Sequence, residues 1–413
     1  MTTRAEARDR GPVVHVLRDY LPYSQTWIHR QIGWLPPSDV AVIAERVVAP
    51  GRVAFPTADL VVLEESCPRA YRALSWSPGR RLVPRLAGRV LRDRKPRVIH
   101  AHFGESGWRW LSLATRLGVG LVTSFYGWDM SAQPRNAAVW RRRYRRLFAG
   151  GTRFLCEGPA MAGGIEALGC PRDRIGIQRL GIETRNVVVR PRSRRPDERL
   201  TILVAARFAE KKGLPDAIAA AALAAREVDL EVVVAGDAPS TPRGRREAAR
   251  IEQAARASGL GDRLRFVGVL PHDELLALAY RSHVFLQPSR TASDGDTEGG
   301  APVTLLDMGA TGLAAVATRH ADIPDVVVHD ATGWLVDEGD VTALAAYLVR
   351  ASREPDVVRR LGERAADRVR DEFGTEHCAA TLRGHYEQAV SSRVVPATWV
   401  DRWRTRWERP HRA

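Results

Sequence analysis

The sequence predicts an α/β protein of two Rossmann-like domains, each a doubly wound parallel sheet, with a ligand cleft between them. Short apolar runs alternate with helical stretches, which favours parallel sheets covered by helices. A polar segment rich in Arg and Pro, residues 185–199, interrupts this alternation, and the pattern then restarts. We therefore predict an N-terminal domain at residues 1–190, a C-terminal domain at 191–385 and a helical tail at 386–413.

Short apolar runs bounded by polar or turn residues mark the strands of both domains. In the first domain we predict strands at 13–17, 40–44, 60–63, 97–101, 120–124 and 153–156. In the second domain we predict strands at 201–205, 231–235, 265–267, 284–287 and 314–317.

Composition limits the class of protein. The 413 residues carry a formal charge of +15, which suits polyanionic partners such as nucleic acid, anionic lipid or phosphorylated substrates. The four cysteines have no paired spacing, which argues against a disulfide scaffold or a zinc site. No apolar run is long enough to span a bilayer, and the polar N-terminus leaves no room for a signal peptide. We therefore expect a cytoplasmic protein.

The most informative stretch is a polar, Gly-rich turn between a predicted strand and helical spacing over 303–310. Such a turn leaves the carboxyl end of a strand, where open α/β sheets bind ligands, and the next helix presents free N–H groups there. Gly299 and Gly300 allow a ligand to approach the backbone, and Glu298 and Asp307 supply carboxylates that accept hydrogen bonds from hydroxyls. The stretch suits a phosphorylated sugar, although an ordinary strand–loop–helix connection also accounts for these residues.

Five short motifs resemble the donor-site signature of glycosyltransferase family 4, whose members are retaining enzymes with the GT-B fold: Pro288-Ser289, Glu298-Gly299, Asp307-Met308, Thr311-Gly312 and Ala317-Thr318. Segment 295–302 looks like that of a subgroup associated with extracellular polysaccharide assembly. The resemblance implies that Glu298 holds the donor sugar and that Asp307 contacts the nucleotide ribose. In this chain the second acid is Asp rather than Glu and stands one residue further along.

The start of the second domain, residues 204–213, is similar to the family's Arg and Lys donor motif. The resemblance places Arg207 and Lys212 in the cleft with Glu298. Arg binds phosphate bidentately and Lys supplies a point charge, so the two residues can offset the charge of a departing nucleoside diphosphate. A solvated basic turn is the alternative. Gly236 ends the next predicted strand, where the backbone is expected to lie close to the nucleotide.

The first domain is expected to bind the acceptor. Ser24 is a plausible N-cap for a helix that follows the first strand, in a loop that resembles the family's first loop. His102 lies near the carboxyl end of a predicted strand, where it can exchange a proton or bind a hydroxyl. Tyr126 stands where the family often has histidine, so Asp129 becomes the expected acceptor-side base, with a turn-capping role as the alternative.

Two pairs of residues raise the question of a metal. His100 and His102 are two apart, but the sequence offers no third ligand beside them. Asp294 and Asp296 resemble a metal-binding carboxylate pair of another glycosyltransferase class, yet here they precede a Gly-rich helix start beside basic residues. We therefore predict no metal and no other cofactor, with a nucleotide sugar as the donor substrate.

Basic helices suggest an anionic surface as a further partner. Arginines recur along two predicted helices, at Arg81, Arg85 and Arg89 and over residues 141–146. Tryptophans at 399, 403 and 407 alternate with arginines in the tail, a combination that favours a membrane interface. Because related GT-B enzymes end in a returning helix, we expect the tail to pack back across the first domain.

The sequence therefore predicts a retaining glycosyltransferase that moves a sugar from a nucleoside diphosphate donor to a saccharide or lipid-linked saccharide acceptor, in the cytoplasm or on the inner face of the membrane. Three alternatives stay open. These are a glycosyltransferase of antibiotic biosynthesis, an inactive nucleotide-sugar-binding protein and a basic nucleic-acid-binding protein. No zinc-finger, helix-turn-helix or RNA-binding aromatic pattern supports the last, so nucleic acid is not an expected partner.

Overall fold

Two parallel sheets organise the protein in a computed structural model that describes residues 11–20, 26–48, 59–76, 79–190, 192–195 and 197–392. The strands of the first sheet are β1 Val13–Tyr20, β2 Val40–Val47, β3 Leu60–Val62, β4 Val98–His102, β5 Gly120–Ser124, β6 Arg153–Cys156 and β7 Ile175–Ile177. Those of the second are β8 Leu200–Ala205, β9 Leu230–Ala235, β10 Leu264–Gly268, β11 Val284–Gln287, β12 Ala315–Thr318 and β13 Gly333–Val336.

Both sheets are doubly wound. The strand order is β3-β2-β1-β4-β5-β6-β7 in the first and β10-β9-β8-β11-β12-β13 in the second, and the paired strands run parallel. The order reverses between β1 and β4 and again between β8 and β11, which opens a crevice at the carboxyl ends of those strands. The predicted fold class, two Rossmann-like parallel-sheet domains, is confirmed.

Two strands that the sequence did not predict complete the sheets. The strand β7 has three residues with a glycine at its centre, and β13 has four residues. Each run contains a glycine, Gly176 or Gly333, and glycine is depleted in strands, so neither run has the continuous apolar pattern by which the other short strands were predicted. Their pairing with β6 and β12 supplies the backbone hydrogen bonds that stabilise them.

Helices cover both faces of each sheet. In the first domain they are α1 Thr26–Gly33, α2 Leu63–Ser66, α3 Pro68–Ser75, α4 Gly88–Arg94, α5 Gly104–Leu117, α6 Ala132–Asn136, α7 Ala138–Gly150 and α8 Pro159–Ala167. In the second they are α9 Leu214–Ala224, α10 Pro242–Ala257, α11 His272–Tyr280, α12 Val303–Ala310, α13 Ile323–Val326, α14 Val341–Arg353 and α15 Pro355–Phe373, and α16 Thr375–Ser391 follows. None of these helices, within the described residues, is both long and apolar enough to cross a bilayer.

The strands carry the core because both of their faces are covered. All five residues of β4 and of β5 are buried. The alanine-rich helix α9 packs its apolar face against the second sheet. Leu214 and Ile218 of this helix are almost fully buried. Central parallel strands of this kind fix the positions of the loops at their carboxyl ends.

The chain passes between the sheets twice. It leaves β7 through residues 178–199, and Arg179 in this connection binds Asp325 at 2.9 Å and Glu372 at 3.0 Å. A β-bridge between Ile182 and Gly374 joins the outgoing and returning segments. The predicted domain boundary at residues 190 and 191 falls within the first crossing.

Helix α16 returns to the first sheet. Leu382 and Tyr386 join the buried cluster formed with Val13, Val98 and Val122. The return begins at residue 375, inside the range predicted for the second domain rather than at residue 386. Residues 393–413, which hold the three tail tryptophans, lie outside the described residues, so their predicted packing stays a prediction.

Candidate active site

Loops at the carboxyl ends of the two sheets meet face to face. Gly299 has φ of +80°, and a β-carbon added there would lie 2.3 Å from Gly127 Cα. The loop after β11 therefore touches the loop after β5 at a place where both residues are glycine. Asn136 Nδ2 also donates to the Asp294 carbonyl oxygen at 3.1 Å, across the same boundary.

Glu298 is a buried acid of this boundary that is held by several hydrogen bonds. Its side chain is only 5% exposed, and Oε2 accepts a hydrogen bond from Lys212 Nζ at 2.8 Å. The other oxygen, Oε1, accepts from Ser289 Oγ at 2.7 Å. The backbone N–H of Glu298 donates to His320 Nε2 at 3.0 Å, and His320 Nδ1 lies 2.6 Å from Glu338 Oε1. Both oxygens and the backbone of Glu298 are thus fixed in place.

Two lysines keep Glu298 ionised. Burial alone would raise the pKa of this carboxyl, but the charges of Lys212 and Lys211 outweigh burial and hold the pKa below its ordinary value. Lys211 Nζ lies 3.1 Å from Asp296 Oδ2 and donates to the Thr297 carbonyl oxygen at 2.6 Å. Lys211 therefore anchors the loop as well, a role that sequence analysis did not assign to it.

The basic turn after β8 lies beside Glu298, as predicted. Residues 210–212 form a short 3₁₀ helix that ends at Gly213, whose φ of 63° and close approach to the Pro288 carbonyl oxygen exclude a side chain. The turn brings Lys212 onto Glu298, whereas Arg207 is exposed and has no hydrogen bond or ion pair within the part of the chain described. A cation without a protein partner is available to an anionic ligand.

Gly236 and Asp307 are two further residues predicted to bind the donor. Gly236 follows β9 with φ of +134°, and a β-carbon there would lie 1.9 Å from the Ala206 carbonyl oxygen, so the turn requires glycine. Asp307 lies in α12, where its carboxylate is 3.3 Å from His272 Nε2. Helix α12 begins at Val303, as the sequence predicted.

The two glycines predicted to make room for a ligand contact the first domain. Beside Gly299 lies the Gly127 loop described above, and a β-carbon at Gly300 would lie 1.8 Å from Glu157 Oε2. Their small size therefore allows the domains to approach each other in this structure, while their expected approach to a ligand stays a prediction.

Asp129 fixes the loop that follows β5, where the sequence predicted acceptor-binding residues. The carboxyl is 1% exposed, and it accepts hydrogen bonds from the backbone N–H groups of Gly104 at 2.8 Å and Tyr126 at 2.9 Å. Burial raises its pKa to about 6, although these backbone hydrogen bonds oppose the rise. Both oxygens are occupied by backbone donors, which is the geometry of the turn-capping alternative. Its role as a base stays a prediction.

His102 is connected to the cleft by a hydrogen bond with the Tyr126 hydroxyl. His102 is fully buried, with Nδ1 2.6 Å from the Tyr126 hydroxyl and Nε2 3.0 Å from His15 Nδ1. Burial lowers the pKa of His102 well below its ordinary value and that of His15 to about 3, so both rings are neutral at physiological pH. Ser24, the fourth predicted acceptor residue, lies outside the described residues.

A third histidine, missed in the sequence, joins the predicted pair. His15 is opposite His100 in the register of β1 and β4, and ligand atoms of His15, His100 and His102 lie within 4.8 Å of one another. The expectation that no third ligand accompanies the pair was therefore wrong, because the missing residue is on an adjacent strand far away in sequence. His100 already contacts Ser124 Oγ and the Tyr386 hydroxyl, each at 2.8 Å. With its ring nitrogens engaged, the cluster fits a hydrogen-bonded core.

The paired aspartates face two different cations. Asp294 binds Arg243 at 2.5 Å, and Asp296 binds Lys211. Each carboxylate therefore has its own cationic partner, and the predicted absence of a metal stays a prediction.

Sequence analysis missed Glu157, His320 and Glu338, which follow β6, β12 and β13. All three lie just past the carboxyl end of a strand, and this position is the signal that could have revealed the first two. Glu338 had no such signal because its strand was not predicted. Hydrogen bonds from His320 and Thr291 lower the pKa of Glu338 against the effect of its burial.

Comparison with known proteins agrees with this architecture. The family description "Glycosyl transferases group 1" matches residues 188–368, and "Glycosyltransferase Family 4" matches residues 37–186. The chain is 33% identical over 300 residues to WcaL of Escherichia coli K12, a glycosyltransferase named for colanic acid biosynthesis, covering 71% of each chain. It is 34% identical over 273 residues to the amylovoran biosynthesis glycosyltransferase AmsK of Erwinia amylovora, covering 63% of each.

Solved structures show the same fold. HepE of Anabaena, crystallised with UDP, superposes with a TM-score of 0.70 at 13% identity, covering 90% of this chain and 98% of HepE. Two doubly wound domains that face each other through their strand ends define the GT-B class. The chain belongs to the group 1 glycosyltransferases, with a family 4 N-terminal domain. It is a glycosyltransferase.

Proposed function

We propose that the protein transfers a sugar, with retention of anomeric configuration, from a nucleoside diphosphate sugar to a hydroxyl of a saccharide or lipid-linked saccharide acceptor. The observation that carries this proposal is the buried Glu298–Lys212 pair at 2.8 Å, with the unpaired Arg207 on the turn that supplies Lys212. An ionised acid suits sugar hydroxyls, and two cations suit a diphosphate. The names of the colanic acid and amylovoran relatives, and UDP in HepE, support the same substrate classes.

Each predicted site residue that the structure describes has a place in this proposal. Lys212 and Arg207 stabilise the negative charge that builds up on the diphosphate as it leaves. Glu298 binds the sugar, the glycines at 299 and 300 shape its loop, Gly236 borders the nucleotide and Asp307 faces the ribose. On the acceptor side, Tyr126 presents its hydroxyl with support from His102, and Asp129 fixes the loop that carries Tyr126.

The function is tested by measuring thermal shifts with a panel of UDP-, GDP-, dTDP- and CMP-sugars, followed by NMR of the product formed from the best donor. We expect one nucleoside diphosphate sugar class to stabilise the protein through mass action and the product to keep the donor's anomeric configuration. An inverted product would remove the retaining assignment. Absence of stabilisation by every donor, together with salt-sensitive binding of random DNA, would favour a nucleic-acid-binding protein.

Glu298→Gln is expected to lower kcat more than it weakens nucleotide binding. The substitution keeps the shape of the side chain but removes the charge that pairs with Lys212. If the carboxylate acts on the sugar, the loss falls on transition-state stabilisation. Steady-state kinetics and the Kd of the nucleoside diphosphate separate the two effects. A variant whose only defect is weaker nucleotide binding would place Glu298 in the nucleotide subsite.

Chelation is expected to leave activity unchanged. Arg207, Lys212 and the N-terminus of α12 supply the positive potential that a metal otherwise provides in such sites. Turnover is measured after dialysis against EDTA and again after adding Mn²⁺ or Zn²⁺. Loss of activity that Mn²⁺ restores would assign a metal to Asp294 and Asp296. Restoration by Zn²⁺ alone would assign a metal to the three histidines His15, His100 and His102.

We also propose reversible attachment to an anionic membrane surface, on the inner face of the cell membrane. Two basic surfaces of the first domain favour it: the exposed Arg81, Arg85 and Arg89, and four exposed arginines of α7, at 141, 142, 145 and 146. Arg143 of the same helix lies between the rings of Trp108 and Trp140, at 4.3 and 4.4 Å from their centres. Arginines on such a surface attract anionic lipid at about 1 kcal/mol each.

Co-sedimentation with liposomes is expected to show binding to anionic vesicles at low salt and release at high salt, because exposed charges are screened. Replacing Arg141, Arg142, Arg145 and Arg146 by Gln should abolish most of this binding. A matched control changes four arginines of the second domain, Arg226, Arg245, Arg246 and Arg256, which removes the same net charge. Equal recovery with neutral vesicles, or equal loss in both variants, would contradict attachment through α7.

A further inference from the structure

Glu157 is an unpaired carboxylic acid at the meeting point of the two domains. It directly follows β6 of the first sheet, and its Oε2 touches the backbone of Gly300 in the second domain, where a β-carbon would lie only 1.8 Å away. Within the described ranges no hydrogen bond or ion pair reaches its carboxyl, although Glu298 and Asp129 nearby are both fully engaged. The acid is therefore free to bind something else.

Two narrow crevices share Glu157 as a lining residue. One lies at the interdomain boundary and is lined also by Arg179, Ala301 and Asp322. The other lies within the first domain and is lined also by Tyr126. Glu157 therefore stands between the loop that follows Glu298 and the loop that carries the acceptor-side tyrosine.

The surroundings of Glu157 favour a neutral carboxyl. Burial raises its pKa well above the ordinary value, and the carboxyls of Asp322, Glu298 and Asp129 raise it further, while Lys211 opposes the rise. A protonated carboxyl can donate one hydrogen bond and accept others, which matches the donor and acceptor capacity of a sugar hydroxyl. A diphosphate is a poor ligand here, because it would face several acids.

We propose that Glu157 binds hydroxyls of the donor sugar, so that the first domain recognises the sugar held by the Glu298 loop of the second. This inference rests on the proposed function. Gly300 lies two residues after Glu298, so a sugar that contacts Glu298 and the glycine backbone comes within reach of Glu157. Recognition of the sugar then requires both domains, whereas the nucleotide contacts only the second.

The consequence is selectivity among sugars that differ at one hydroxyl. When the correct sugar binds, the Glu157 carboxyl forms a hydrogen bond with one of its hydroxyls. An epimer lacks a hydroxyl in that position, so the buried carboxyl stays without a hydrogen bond and binding of the epimer is strongly disfavoured. The sugar that fits is therefore determined partly by a residue of the domain that binds the acceptor.

The experiment compares wild type, Glu157→Ala and Glu157→Gln by calorimetric titration with the best nucleotide sugar and with its nucleoside diphosphate alone. Loss of one hydrogen bond should weaken sugar-nucleotide binding by about three- to tenfold in Glu157→Ala. Binding of the nucleoside diphosphate should stay unchanged. Glu157→Gln keeps a donor and an acceptor and should retain most of the affinity. Turnover with two epimeric donors should show reduced discrimination in Glu157→Ala.

Glu166→Ala provides the matched control, because Glu166 is an exposed acid of the same domain whose partner is the surface residue Arg172. A melting temperature for Glu157→Ala equal to or above that of wild type would separate binding from a structural role. Equal weakening of the nucleotide sugar and the nucleoside diphosphate would overturn the inference, as would a defect seen only in the acceptor KM. If wild type binds no nucleotide at all, the proposed function fails and this inference fails with it.

Discussion

Lys212→Ala and Arg207→Ala are each expected to slow sugar transfer by about 10²–10³-fold, the effect of removing one donor to a developing oxyanion. Both side chains come from the turn after β8, and Lys212 donates a hydrogen bond to the buried Glu298. The exposed Arg207 has no described protein partner, so it is free to bind a phosphate through two parallel hydrogen bonds.

The two variants should differ in their pH dependence. Lys212→Ala removes the cation 2.8 Å from Glu298, so the effect of burial is opposed less and the pKa of Glu298 rises. Glu298 is then protonated at a higher pH than in wild type. The acidic limb of the plot of kcat against pH therefore shifts to higher pH. Arg207→Ala leaves the Glu298–Lys212 pair intact. It should lower kcat at every pH without shifting the acidic limb. The measurement is kcat over a pH series for both variants.

Two substitutions serve as controls for loss of a cation. Lys95→Ala removes the third lysine of the chain, which is exposed in the first domain, and Arg226→Ala removes an exposed arginine of the second. Both should retain wild-type turnover. If Lys212→Ala and Arg207→Ala also keep turnover within about threefold of wild type, the assignment of these residues to the leaving diphosphate is wrong.

Local sequence patterns were sufficient to predict most of the strands of the second domain. The predicted helix over residues 303–310 matches α12. The basic turn, which was predicted to face the same cleft as Glu298, contacts Glu298 through Lys212. The reason is physical: in a parallel sheet the strand ends lie at one edge, so short motifs that follow neighbouring strands are brought together by the fold. Periodicity locates the strands, and the topology then brings the motifs into contact.

Contacts between strands and between domains could not be read from the sequence. His15 joins His100 only through the register of β1 and β4, which depends on sheet order. Glu157 contacts Gly300, which belongs to the other domain. Asp322 likewise accepts a hydrogen bond from the backbone N–H of Ala160 at the start of α8, across the same boundary. Each of these contacts joins residues far apart in the chain, where local patterns carry no information.

Gly299→Ala is expected to prevent the domains from meeting and to reduce transfer by about 10²-fold or more, because small displacements of catalytic groups have effects of that size. The new β-carbon would lie 2.3 Å from Gly127 Cα and 2.7 Å from Gly127 N, which is backbone and cannot rotate away. The φ of +80° adds strain for any residue with a side chain. Nucleoside diphosphate binding, which we propose to involve the second domain alone, should persist.

The measurement combines turnover, nucleotide affinity and the radius of gyration from small-angle scattering. We expect Gly299→Ala to bind nucleotide normally, to scatter as a more extended molecule and to lose activity. Gly163→Ala is the matched control, because no atom lies within 4 Å of a β-carbon at that position of α8 and alanine favours the helix by about 0.5–1 kcal/mol. A Gly299→Ala variant with wild-type turnover and radius of gyration would show that the contact between Gly299 and Gly127 is not needed for catalysis.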